Sequence, residues 1–173
     1  APMIEGVRQA LPRVPIVVGG AHASAFGADV LTATGADAVV TGEGELTLEA
    51  IVQAYQNGTG LDSIPGLIWR SPDGIAVTNP GTPPIIADLD SLPFPAYDLI
   101  DLDRYQQHLS YAYNSRRQGV LVTSRGCVYS CSFCFRPREG IRWRSAASVF
   151  AEIEWLHASF GIEDFYIVDD IGD

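Results

Sequence analysis

The chain has 173 residues, of which 47% are hydrophobic and 18% charged, a composition that belongs to folded globular proteins and excludes a disordered tail. No stretch approaches the roughly 20 apolar residues of a membrane span, and no basic segment leads into an apolar core at the start as a secretory leader would, so the expectation is a cytoplasmic protein with no membrane span. A formal net charge of -10, with eleven basic residues that form no long tract, argues against a nucleic-acid partner.

From residue 14 to 57 two textures alternate. "VPIVVGG" is a short apolar run stopped by Gly19-Gly20, "GADVLTATG" suits a short helix, "ADAVVTG" is a second buried strand, and "ELTLEAIVQAYQNG" is a helix. In that last helix Leu48, Ile51, Val52 and Tyr55 recur at helical spacing, Glu45 and Glu49 stand near the positive end of its dipole, and Gly58 supplies the stop. Strands buried on both faces and joined by helical crossovers predict a parallel sheet. Two strands are too few for such a sheet, so residues 1–60 read as the C-terminal part of a domain with earlier strands before residue 1.

The texture changes over 61–117. "GLIWRSPDGIAVT" predicts a hairpin turning at Ser71-Pro72-Asp73-Gly74, and "NPGTPPIIADLDSLPFPAYDLI" is rich in Pro and Asp, as an interdomain linker or a surface excursion would be. Residues 118–173 return to α/β order. "QGVLVTSRGC" is a strand entering a cysteine loop, Ser145 caps a helix with Val149, Ile153, Leu156 and Phe160 on one face, Gly161 ends it, and "EDFYIVDD" is a second strand closing on two carboxylates.

Cys127, Cys131 and Cys134 lie in that loop, and the chain has no fourth cysteine. An odd number of closely spaced thiols speaks against a disulfide framework and for metal or redox work. Structural zinc takes four protein ligands, and His22, His108 and His157 do not stand at ligand spacing from the cysteines. A cubane iron-sulfur cluster held by three thiolates instead leaves one iron open to an outside ligand. Plain structural cysteines in a tight loop remain the bland alternative.

"SRGCVYSCSFC", with Phe133 just before the third cysteine, a strand before it and an amphipathic helix after, resembles the cluster loop of the radical S-adenosylmethionine (radical SAM) superfamily. The resemblance implies that Cys127, Cys131 and Cys134 bind a 4Fe-4S cluster and that S-adenosylmethionine occupies the fourth iron. An electron from an external donor of flavodoxin or ferredoxin type then cleaves that cofactor to methionine and a 5'-deoxyadenosyl radical. It also puts Phe133 near the adenine, where packing under the loop is the simpler role. Asp169 and Asp170 fall at the rim where superfamily members meet the methionine amino group, although "VDDIGD" stands here in place of Gly-Gly-Glu, and a helix N-cap is the plain alternative. Arg136, Arg138, Arg142 and Arg144 are expected to hold the cofactor carboxylate or to be solvated.

"VVGGAHAS" and "VVTGEGELTLEAI", in this order and ahead of such a loop, resemble the C-terminal part of the cobalamin-binding domain of cobalamin-dependent radical SAM enzymes, and "ADLDSLPFPAYDL" resembles that family's interdomain link. The implied fold is α/β: the end of a Rossmann-like (flavodoxin-like) cobalamin-binding domain over 1–60, a hairpin and linker over 61–117, and over 118–173 the first β-α-β of a partial TIM-type radical SAM barrel. Gly19, Gly20 and His22, with Gly42, Glu43 and Gly44, would enclose the nucleotide tail of cobalamin. The chain has no Asp-x-His-x-x-Gly, so no lower axial histidine is assigned. The implied reaction is methyl transfer to an unreactive carbon of a small-molecule substrate, with cyclisation or rearrangement as variants, and the fragment is not expected to turn over alone. A methylthiotransferase acting on RNA or protein, or a non-catalytic cobalamin or iron-sulfur binding module, are the alternatives.

Overall fold

The structure, a computed structural model, describes residues 2–102, 104, 117–135 and 140–171. They form two compact units, residues 2–86 with 131–135, and residues 87–130 with 140–171.

The first unit runs α1 (Pro2–Ala10), β1 (Val17–Val18), α2 (Ala21–Phe26), α3 (Ala28–Ala33), β2 (Ala38–Val39), α4 (Glu45–Asn57), β3 (Ile68–Arg70) and β4 (Ala76–Thr78). Its sheet has the order β1-β2-β3-β4. β1 and β2 are parallel, with Val17 opposite Ala38, whereas β3 adds antiparallel, with Ala38 opposite Trp69. Alternation along β2 supplies both cores. Ala38 and Val40 pack with Ile51, Ala54, Leu61, Ile64 and Leu67, while Val39 packs with Ala23, Val30, Leu31, Ala36 and Ile68. The sheet is thus covered on both faces, as its short apolar strands require.

Two details differ from the sequence reading. The buried stripe of α4 is Thr47, Ile51 and Ala54, while Leu48, Val52 and Tyr55 stay nearly half exposed. Small side chains at 50 and 54 let the helix approach Ala38 closely, and this rotates the larger residues to its flank. The hairpin, turning at Ser71–Gly74 as its residues predict, is also a member of the first sheet through β3. It is held there by Asn79, which is 5% exposed. The Asn79 amide donates to the Leu61 carbonyl at 2.6 Å and the Ile64 carbonyl at 2.9 Å, and its oxygen accepts from Trp69 Nε1 at 2.9 Å.

The second unit contains single 3-10 turns at Leu89–Ser91 and Tyr97–Leu99, then β5 (Gln118–Leu121), β6 (Ser124–Cys127), β7 (Gly140–Trp143), α5 (Ala146–Phe160) and β8 (Asp164–Ile167). β5 and β8 are parallel, joined through α5, and their core is Leu121, Leu156 and Ile162. Ser145 caps α5 by accepting the Ser148 amide at 3.1 Å, and Gly161 ends the helix in the left-handed conformation. The Pro-rich stretch contributes to this unit. Tyr97 and Phe94 pack on Trp155 of α5, and the Tyr97 hydroxyl donates to the Val120 carbonyl at 2.9 Å. β6 and β7 form a separate antiparallel ribbon on either side of the cysteine loop, a pairing the sequence reading does not contain.

Replacing Asn79 with Ala takes its amide from the Leu61 and Ile64 carbonyls, which keep the backbone amides of Ile64 and Leu67, and removes the acceptor of the Trp69 indole N–H, three hydrogen bonds worth about 1 kcal/mol each. Urea unfolding of Asn79→Ala is expected to show a loss of about 2 to 3 kcal/mol.

Candidate functional site

The parallel ladder of β5 and β8 ends at Leu121 opposite Ile167, with one more bond from the Val168 amide to the Leu121 carbonyl. Beyond it the chains part, and amides that would have gone on pairing need new acceptors. Asp169 and Asp170 supply them. Asp169 Oδ1 accepts the amides of Thr123 at 2.8 Å and Ser124 at 3.0 Å, Oδ2 accepts the Thr123 hydroxyl, and Asp170 Oδ2 accepts the Gly126 amide at 3.0 Å. Burial pushes the Asp169 carboxyl up, but the Thr123 hydroxyl with the Ser124 and Thr123 amides outweighs it, and the group lies below its ordinary value. Both carboxylates thus accept amides along the strand that leads to Cys127.

That strand, β6, is fixed on its other edge by β7. Gly126 has φ +96°, and a Cβ built on it would lie 2.2 Å from the Gly140 carbonyl oxygen, so no other residue fits there. Cys127 follows at the end of β6, half-buried, and its sulfur accepts the Tyr129 amide at 3.4 Å. Cys131 and Cys134 are exposed and lie at the two ends of one turn, closed by the Cys134 amide donating to the Cys131 carbonyl at 3.2 Å. None of the three is in a disulfide. Among the described residues no three His, Cys, Asp or Glu form a cage for a single ion. A cubane asks for no such cage, because each thiolate binds a different iron. Phe133 does not pack under the loop; its side chain is 90% exposed.

Arg144 is neither solvated nor open to a cofactor. Its guanidinium pairs with Glu152, which is 2% exposed, donates to the carbonyls of Val122 at 3.1 Å and Ser148 at 3.3 Å, and stands over the Phe94 ring. Arg142 lies half-buried on β7, and Arg136 and Arg138 fall outside the described residues. The sequence reading missed Glu152, although its position between Val149 and Leu156 places it on the inward stripe of α5. A cleft of about 330 Å³ between the 89–97 segment and β5 is walled by Leu89, Phe94, Val120 and Val122, and by Arg144 and Glu152, which spend their charges on each other.

In the first unit the turns after the parallel strands β1 and β2 are bare backbone. Gly20 and Gly42 have φ +97° and +71°, and a Cβ on either would meet only open space, a surface that an extended ligand can approach closely. Gly19 lies beside Val40, and Gly44 opens α4. These turns are held from within. Ser24 Oγ accepts the Gly42 amide at 2.8 Å, and Glu43 accepts the Ile86 amide at 3.0 Å. His22 is exposed on α2 with its ring 4.7 Å from that of Phe26.

Two outcomes follow for stability. Glu152→Ala strands a guanidinium that is only 13% exposed and is expected to cost about 3 to 5 kcal/mol in chemical denaturation. Because the Asp169 value is depressed on folding, its contribution is complete above the ordinary carboxyl value of 3.8 and disappears as pH falls through the lower folded value. Asp169→Asn is therefore expected to be less stable than the parent at neutral pH, the gap closing below about pH 4 when denaturation midpoints are compared.

Residues 2–52 match the B12 binding domain family. The chain is 38% identical over 137 residues to the uncharacterized methyltransferase PH0819 of Pyrococcus horikoshii, covering 78% of this chain and 28% of that protein. It is 34% identical over 167 residues to the anaerobic magnesium-protoporphyrin IX monomethyl ester cyclase of Synechocystis, covering 95% and 32%. Among solved structures it resembles TsrM of Kitasatospora setae, a radical S-adenosylmethionine methyltransferase. The TM-score is 0.72 with 27% identity over 98% of this chain and 32% of that one for the form with tryptophan and a SAM analog. For the form with cobalamin and a [4Fe-4S] cluster it is 0.71 with 26% identity. The chain spans about a third or less of the length of these relatives. With a B12 binding domain match at its start and these relatives along its length, the chain belongs to the cobalamin-dependent radical SAM enzyme family.

Proposed function

We propose that this chain serves a cobalamin-dependent radical SAM enzyme in which Cys127, Cys131 and Cys134 hold a 4Fe-4S cluster whose fourth iron is left to S-adenosylmethionine. The observation that carries the reading is the donor set: three thiols at spacings of four and three, none in a disulfide, the first at the end of β6 and the other two in the turn that follows. When bound, the cluster supplies the electron that cleaves S-adenosylmethionine. The residues of the chain hold and tune. The amide of Tyr129 on the Cys127 sulfur is the kind of hydrogen bond that shifts a cluster's potential. The exposed Phe133 ring offers a face to the adenine. Gly19, Gly20 and Gly42 to Gly44 present backbone to cobalamin, with His22 at their margin and no role as a cobalt ligand assigned to it.

The reaction we assign is methyl transfer to an unreactive carbon of a small-molecule substrate, with reducing electrons from a flavodoxin or ferredoxin type donor in the cytoplasm. The likeness to a methyltransferase supports this. The comparable likeness to a cyclase favours ring closure as the second reading.

The test is anaerobic reconstitution with iron and sulfide, followed by electron paramagnetic resonance of the reduced protein with and without S-adenosylmethionine. A cubane signal that moves on adding the cofactor, and is lost in Cys131→Ala, is the expected result. Zinc in place of iron would overturn the reading, and a cubane signal indifferent to the cofactor in the full-length protein would make the chain a carrier. Phe133→Ala is expected to load its cluster normally yet need about tenfold more S-adenosylmethionine for the same spectral shift, the value of one aromatic stack on a base.

A further inference from the structure

We propose that Asp169 and Asp170 are positioning residues of the cysteine loop: by accepting the amides of Thr123, Ser124 and Gly126 they set the path of the strand that delivers Cys127. The inference rests on the reading that this loop holds a cluster, and its geometry is independent of the cofactor.

Three observations carry it. The two carboxylates begin where the β5–β8 ladder stops, so they continue the pairing of β8 with side chains in place of backbone. The contacts are spaced along the strand, two at its start from Asp169 and one at Gly126 from Asp170. Gly126 is also pressed from its other edge, since β7 leaves no room for a Cβ beside the Gly140 carbonyl. The residue before Cys127 is therefore gripped on both edges, by a carboxylate and by a β-strand. A thiolate delivered from so constrained a backbone keeps one position relative to its sequence neighbours, which is what a cluster with one open iron requires of its first ligand.

Asparagine and alanine separate positioning from charge. In Asp169→Asn and Asp170→Asn an oxygen remains to accept the same amides, and the new amide of residue 169 can donate to the Thr123 hydroxyl. Alanine removes every acceptor. The measurements are hydrogen exchange of the 123–127 amides, iron loaded per chain, and the paramagnetic signal of the reduced cluster with and without S-adenosylmethionine. In Asp170→Ala the amides from Ser124 to Cys127 are expected to exchange about tenfold faster or more. Its reduced signal should broaden and respond weakly to the cofactor, while Asp170→Asn restores both. Parental exchange, loading and cofactor response in the alanine variants would overturn the proposal. If Asp169→Ala fails to fold, the exposed Asp170 decides alone. If the parent protein itself takes up no cluster, the functional reading fails and the exchange arm still decides: faster exchange at 124–127 sustains the positioning role, and unchanged exchange ends it.

Discussion

Two parallel strands can part only if the amides they leave behind find other acceptors, and in this chain Asp169 and Asp170 meet that constraint. β5 and β8 share four residue pairs. Past them the chain must leave its sheet partner, cross to the ribbon with β7 and arrive at Cys127. Water could satisfy those amides but would not direct them. A carboxylate held at the end of the neighbouring strand does both, and two in succession hold a length of chain rather than a point.

A second brace acts at the same crossover. The Arg144 amide donates to the Thr123 carbonyl at 2.8 Å, and its guanidinium reaches the Val122 carbonyl and the buried Glu152 of α5. The carbonyls of the departing strand are thus met by an arginine while its amides are met by two aspartates. A buried ion pair adds little to stability beyond an apolar pair of the same shape. Its value here is direction, because the planar guanidinium fixes α5 and the end of β5 at once. The glycine turns of the first unit solve a different problem. There the backbone is left bare, and the polar groups that shape it, Ser24 and Glu43, bond from beneath.

What the sequence made legible was local. The Ser145 cap, the glycine stops at 58 and 161 and the Ser71–Gly74 turn all depend on residues within a few positions of one another, and the structure has each of them; the parallel strands were legible through the apolar runs and the helices between them. The pairing of β6 with β7 was hidden because "SRGC" and "GIRW" are four-residue segments with no periodicity, joined only in space. Arg144 read as a cofactor-carboxylate holder or a solvated residue, because the one mark of its partner, the spacing of Glu152 from Val149 and Leu156 on the inward stripe of α5, lies eight residues on. Thr123 and Asp169 are 46 positions apart. The pair of carboxylates was conspicuous, but its partners were ordinary backbone, which has no sequence signature. On α4 the pattern identified a helix and missed its face, because alanine, not leucine, is what close approach to the sheet selects.

The exposure of Cys131 and Cys134 carries a chemical liability. Both thiols are exposed at the ends of a single turn. An oxidant that joins them consumes two of the three sulfurs at once, and one that carries either to a sulfinic acid does so irreversibly. Either change leaves the loop with fewer than three thiols, and only the first of them can be reversed by a reductant.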